Sequence, residues 1–361
     1  MIRTIVIAFF VLILTTVQGP AHQHRHGRRH GHRAHDGWGR NQAGLTIVTS
    51  FSDFASIASH IVQDKGLVQF IANGQGDPHF VPPKPSYAML LRKADMWVTT
   101  GLDLEVWSTT LLDKARNRQI MDGEIGFVAV ADGVPLLQKV DKADRTEGDI
   151  HMMGNPHIHT SPLNWKHIAR NITIGLQKVD PENSDFYIAN RDEFYDKVDR
   201  ALFGDALVDM FGGETLDELL RNKTLFTFLE KEYQGGTLLN YLGGWLKEAL
   251  PFRDDKVIAY HKNWAYFVDT FGLQVVGYVE PKPGIPPSAK HVQQVINLIG
   301  SQNLHIMLVA SYFEKSTPQM IASRTGIHPV YLPLSCGAVP GTEDIFDLTN
   351  YWIDSIKAAL E

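Results

Sequence analysis

"LTIVTSFSDFASIASHIV", residues 45–62, decides how the rest of the chain is read. Leu45 to Ser50 is a short run of apolar and β-branched residues, the composition of a buried strand. From Phe51 the period changes. Phe51, Phe54, Ile57, Ala58 and Ile61 fall on one face of a helix, because residues three and four apart are neighbours at 3.6 residues per turn. A strand followed at once by an amphipathic helix is the repeating unit of an α/β fold.

The same unit recurs on either side of the chain's middle. "LVQFIAN" is the next strand, and after a Pro-rich loop Ser86 is expected to cap a helix through "YAMLLRKA". "DMWVTTG", a helix near "LEVWSTTLLDKA" and "IGFVAVA" complete the first half. The second half reads "KVIAYH", "NWAYFVDTFG", "LQVVGYV", a helix opened by Ser288, "HIMLVAS", "TPQMIASRTG", "HPVYLPL" and a last helix reaching Leu360. This order predicts an α/β protein with mainly parallel sheets covered by helices.

Between the halves lies "DPENSDFYIANRDEFYDKVDRAL". Asp180 is expected as its N-cap and Pro181 in its first turn. Phe186, Tyr187, Phe194, Val198 and Leu202 form its apolar stripe, and no Gly or Pro interrupts it. It reads as a stiff connector. Beyond it, glycines at Gly212, Gly235 and Gly243 cut helical material into short pieces. The expected division is a signal peptide at 1–21, a His-rich arm at 22–44, a first lobe at 45–180 and a connecting helix at 181–207. A second lobe follows at 208–361, with a helical insertion at 208–250.

The first residues carry Arg3, an apolar run from Ile5 to Val17 and small residues at Gly19 to Ala21. That is the pattern of a secretory signal peptide, and the run is short for a membrane-spanning helix. An uncleaved anchor is the competing reading. No cysteine follows the run, so no lipid-anchored form is expected. The next stretch holds His22, His24, His26, His30, His32 and His35 among Gly and Arg. It has no hydrophobic period and is expected to be disordered. Its imidazoles suit Zn, Cu or Ni, held loosely.

Composition narrows the chemistry. Cys336 is the only cysteine in the sequence, which excludes an internal disulfide and a thiolate metal cluster. Any metal site must use His, Asp and Glu. The net charge is −6, although residues 1–44 hold six Arg against one Asp. The body is therefore acidic, which argues against nucleic acid and not against a cation.

Three histidines fall where open parallel sheets bind ligands, beyond the carboxyl ends of strands. His79 lies in "GDPHF", His157 in "GNPHIH" and His261 ends "KVIAYH". The proline before His79 and before His157 stiffens the approach to each. In "HMMGNPHIHTSP" the flanking His151 and His159 read as solvated loop neighbours. His60 and His167 sit in helical patterns, and His291, His305 and His328 are isolated. None of these five is assigned a role.

At this point the chain resembles the metal-binding solute-binding proteins of ABC-type zinc and manganese importers, the cluster A-I family. The motifs are "GDPHFVPPKPS", "GDIHMMGNPHIHTSP", the connector, "KVIAYHKNWAYFVDTFGL" and "PKPGIPPSAKHVQQVINLI", in the family's order. The resemblance covers about Leu45 to Leu360. It implies two Rossmann-like (β/α)4 lobes joined by a long rigid helix, with the metal in the cleft between them. It implies His79, His157 and His261 as ligands, and delivery to an ABC permease in the inner membrane. The family usually adds a carboxylate from the last lobe. Here Ala310 and Pro333 stand at the matching places, and Glu314 is the expected substitute, with Glu280, Asp344 or a water as others. Cys336 is expected to be a buried thiol.

Three imidazoles without thiolate favour zinc, with manganese second because it prefers more oxygen ligands. The expected protein is an exported, periplasmic monomer that carries a metal ion and performs no catalysis. Two rivals stand beside it. A secreted three-His zinc hydrolase would use an open fourth position, but there is no H-E-x-x-H pair. A surface adhesin or metal buffer would rely on the histidine arm.

Overall fold

The computed structural model describes residues 44–139, 153–280 and 285–361. The expected signal peptide, the histidine arm and His151 lie outside the described residues.

The first lobe opens with β1 (Leu45–Phe51) and α1 (Ser52–Val62). Its strands continue as β2 (Gly66–Ala72), β3 (Met96–Thr99) and β4 (Phe127–Ala129). All pairings are parallel, in the order β2-β1-β3-β4. The helices α2 (Pro85–Arg92), α3 (Ser108–Ala115) and α4 (Pro162–Val179) cover this sheet. The buried face of α1 is the one read from its spacing, with Phe54, Ile57, Ala58 and Ile61 inside. Ser86 does not cap α2. Pro85 occupies the first turn and Lys84 the cap, as expected where Pro's fixed φ suits a helix start.

The connector is α5 (Ser184–Phe203), preceded by a single 3-10 turn at Pro181–Asn183. It starts three residues later than the sequence suggested, because Asp180 does not act as its cap. The Asp180 carboxylate instead accepts from Asn183 Nδ2 and from Tyr187 Oη at 2.6 Å. The helix also stops before 207. Gly204 has φ +81°, and a Cβ there would stand 2.5 Å from the Gly243 Cα. Only a glycine allows both the left-handed turn and this backbone approach. The buried stripe of α5 runs through Tyr187, Asn190, Phe194, Val198 and Leu202. It packs against α1 and α4 on one side.

After Gly204 come α6 (Asp205–Phe211), α7 (Gly213–Arg221) and α8 (Leu225–Leu229). A minimal hairpin of β5 (Glu232–Tyr233) and β6 (Gly236–Thr237) leads into α9 (Gly244–Glu248), which packs on α5. The second sheet then forms from β7 (Lys256–Ala259), β8 (Gln274–Tyr278), β9 (Ile306–Ala310) and β10 (His328–Leu332). It is parallel throughout, in the order β10-β9-β7-β8. Its helices are α10 (Ala265–Phe271), α11 (Ala289–Gln302), α12 (Ser316–Thr325) and α13 (Ile345–Ala358). Ser288 caps α11 as expected, accepting from His291 N at 3.2 Å.

One hydrophobic core runs through both lobes. It joins Ile47, Trp97 and Trp165 of the first lobe to Phe203 of α5 and to Trp264, Leu332 and Trp352 of the second. A smaller core fills the other face of the second sheet, around Ile258, Met307 and Ile321. No helix among the described residues is long and apolar enough to cross a membrane.

Candidate metal site

The two sheets point their strand ends at a common region, and the histidines gather there. His79 lies in the loop after β2, His157 just before α4, and His261 two residues beyond the end of β7. The His79 and His157 rings stand 5.5 Å apart, centre to centre. Two imidazoles sharing one tetrahedral zinc through Nε2 have centres about 5 Å apart. His261 is 4% exposed and feels the charges of His79 and Asp77 from across the cleft. Among the described residues, no three His, Cys, Asp or Glu side chains stand close enough to share an ion.

Each of the three rings is held at Nδ1. Asp77 Oδ1 accepts from His79 Nδ1 at 2.6 Å and from the His79 backbone N–H at 3.0 Å. Asn155 Oδ1 does the same for His157, at 2.9 Å to both the ring and the backbone nitrogen. The Glu280 carbonyl takes His261 Nδ1 at 3.2 Å. A carbonyl or carboxylate oxygen only accepts, so Nδ1 carries the proton and Nε2 the lone pair in each neutral ring. This is how metal-ligating histidines are oriented by their outer partners. The shared "D/N-P-H" pattern was visible in the sequence. The residue ahead of the proline, and not the proline alone, does the holding.

Electrostatics suit a cation. Burial pushes the His261 pKa down to about 4, so its ring is neutral at neutral pH. Burial alone would raise Asp77, yet the hydrogen bonds and charge of His79 hold it below the usual carboxylate value.

Hydrogen bonds from both sides join the first-lobe loop to the second lobe. Asn155 Nδ2 donates to the Lys262 carbonyl at 2.7 Å, and Tyr266 Oη donates to the Asn155 carbonyl at 2.7 Å. Ser161 and Thr270 share a hydrogen bond of 2.6 Å. Asn263 Nδ2 stands 3.2 Å from His157 Nε2 and 3.1 Å from Tyr312 Oη. Nothing in the sequence marked Asn263, which reads as the plain start of a helix.

The other expected residues are placed as follows. Glu314 is exposed and turned to the start of α12, where its carboxylate accepts from Ser316 N at 3.2 Å, Ser316 Oγ at 2.5 Å and Thr317 N at 3.3 Å. It is not brought to the histidines. Glu280 is buried with Oε1 3.9 Å from His261 Nδ1, on the edge of the ring away from Nε2. Asp344 binds His60 Nε2 at 2.8 Å and caps α13 through Phe346 N at 2.9 Å. His159, expected in solvent, is 2% exposed and lies edge-on to Phe54. Cys336 is buried, and burial with the nearby Asp53 raises its thiol pKa well above the usual value.

A family model described as the periplasmic zinc-uptake complex component A matches residues 47–202 and 237–359. The high-affinity zinc uptake system protein ZnuA of Bacillus subtilis is 26% identical over 325 residues, 88% of each chain. The manganese ABC transporter substrate-binding lipoprotein PsaA of Streptococcus pneumoniae is 30% identical over 161 residues, 43% of this chain and 48% of its own. A crystal structure of ZnuA superposes with a TM-score of 0.63 at 22% identity, covering 88% of this chain and 98% of that one. A Mn-bound periplasmic metal binding protein from Candidatus Liberibacter asiaticus does so with a TM-score of 0.60 at 18% identity, covering 88% and 100%. These two structures bear on the fold, which is the two-lobe α/β arrangement expected. The family model spans most of the body, and its members carry a cargo ion outside the cytoplasm for a membrane importer, which removes the hydrolase reading. This chain belongs to the periplasmic zinc-uptake component A family, the substrate-binding proteins of metal ABC importers.

Proposed function

We propose that this protein binds one zinc ion between its lobes through Nε2 of His79, His157 and His261, and delivers it to an ABC permease. The observation that carries this reading is the common anchoring of the three rings. In each, Nδ1–H is fixed by an oxygen acceptor, and Nε2 bears the lone pair. Three imidazoles and no thiolate favour zinc over manganese. The mature form is an exported, periplasmic monomer, cut after residue 21, with the histidine arm as a loose collector of cations. Lobes at 45–180 and 208–361 and a connector at 181–207 belong to the same proposal. Binding draws His261 toward the first-lobe pair by a small movement, since α5 is stiff.

The test is zinc titration of the full chain against a competing chelator, which separates tight binding from loose binding by the arm. One tight zinc per chain is expected, abolished by His261→Ala and by His157→Ala. Tight binding that survives His261→Ala would exclude the proposed ligand set. Parallel titrations with manganese decide the cargo.

A further inference from the structure

Asn263 has no part in the ligand set above, yet it sits inside it. The residue is fully buried, two positions beyond His261. Its Oδ1 is buried and makes no hydrogen bond, an arrangement that native proteins rarely leave without a purpose. Its Nδ2 lies 3.2 Å from His157 Nε2. Asn155 holds the proton on His157 Nδ1, so Nε2 accepts from the Asn263 amide. The amide therefore covers the lone pair that an ion on His157 must take.

A half-turn of the amide exchanges its nitrogen and oxygen. Oδ1 then takes the place of Nδ2, 3.2 Å from His157 Nε2. In a tetrahedral zinc site with ligands at 2.0–2.1 Å, neighbouring nitrogen and oxygen ligands lie about 3.3 Å apart. The exchanged oxygen thus stands one tetrahedral edge from the imidazole nitrogen. The competing carboxylates are committed elsewhere. Glu314 binds the start of α12, Asp344 binds His60 and Phe346, and Glu280 lies at the Nδ1 edge of His261.

We propose that Asn263 is the fourth ligand: its amide turns over as the ion arrives, and Oδ1 completes the shell of His79, His157 and His261. Tyr312 Oη supports both positions of the amide. It accepts from Nδ2 now, at 3.1 Å, and as a hydroxyl it donates to Oδ1 after the turn. The proposal rests on the zinc reading above and deepens it. An amide oxygen in place of the family's carboxylate makes the shell carry no ligand charge, which favours exchange of the ion over permanent retention.

The experiment uses the full chain with chelator competition, comparing the parent protein with N263A, N263D and H261A. N263A is expected to weaken zinc by roughly 10–100-fold. N263D, which keeps shape and supplies a carboxylate, is expected to bind zinc at least as tightly and to gain manganese. Cobalt(II) in the parent protein is expected to give the intense visible bands of a four-coordinate ion, altered in N263A. Zinc binding equal to or tighter than the parent in N263A, with H261A still abolishing it, overturns this inference and leaves the zinc reading standing. Binding that survives H261A overturns both. N263D provides the readout if N263A fails to fold.

Discussion

Asn155 of the first lobe is tied to Lys262 of the second by a 2.7 Å hydrogen bond from its amide to the backbone carbonyl. The same side chain holds the His157 ring with its oxygen. One residue therefore sets both the orientation of the His157 ring and a contact between the lobes.

Asn155→Ala removes both functions. Zinc affinity is expected to fall roughly 10–100-fold, the usual cost of losing a partner that orients a metal-bound histidine. Asn155→Asp keeps the acceptor for His157 and loses the donor to Lys262, so it should fall between the two. Isothermal calorimetry reads the order. Equal affinity in all three proteins would show that Asn155 orients nothing.

Asp77 is the counterpart for His79, with a shorter contact of 2.6 Å and a charge. Asp77→Asn keeps the acceptor and should cost less than Asp77→Ala, which is expected to lose roughly 10–100-fold in zinc binding. A larger loss in the Asn variant than in the Ala variant would contradict the orienting role.

The metal-free protein should lose stability in mild acid. The His261 pKa falls from the ordinary 6.5 to about 4 through burial. The unfolded chain takes up its proton near 6.5 and the folded chain only near 4. Folding is therefore favoured above that window and progressively penalised as pH falls through it, by on the order of 3 kcal/mol for this one group. His167 shifts the same way, to about 4. Urea midpoints measured from pH 7 to pH 4.5 test this. In His261→Gln, chosen to keep size without a titrating ring, the decline should be shallower.

The helix junction behind the site holds a buried charge cluster. Lys166 on α4 pairs with Asp199 on α5 and, at 2.8 Å, with Asp217 on α7. Burial and the charge of Asp217 raise Asp199 to about 6 despite the lysine. Lys166→Met leaves two buried carboxylates without their cation and is expected to destabilise by about 3–5 kcal/mol at pH 7. Asp199→Asn relieves the acid–acid repulsion and should be neutral or stabilising there. Its benefit disappears as pH falls through 6 toward 3.8, where the native Asp199 is protonated anyway. A destabilised Asn variant at pH 7 would refute the sign.

The fold was readable where local rules and tertiary packing agree. The strands around Val257, Leu308 and Val330 are short apolar runs, and Ser288 and Gly326 punctuate the helices between them. The connector was readable as a helix, but not its ends. Asp180 spends its carboxylate on Tyr187, and the close approach of Gly204 to Gly243 joins residues far apart in sequence. At the site, strand-end position and the repeated "D/N-P-H" marked His79 and His157. His159 looked solvated because its burial depends on Phe54, a residue of another element. Glu314 looked available because capping of α12 depends on backbone geometry that composition does not show. Asn263 carried no signal at all, since a buried amide at a helix start has no spacing rule.

Side chains from both sheets and from α5 pack into one apolar body, joined from Ile47 to Trp352. Neither half can be cut out with its interior intact, and differential scanning calorimetry should record a single peak for the metal-free chain. The ion then acts on that one transition. Metal binding is expected to raise the melting temperature of the whole molecule, so a thermal shift reports metal capture without any label.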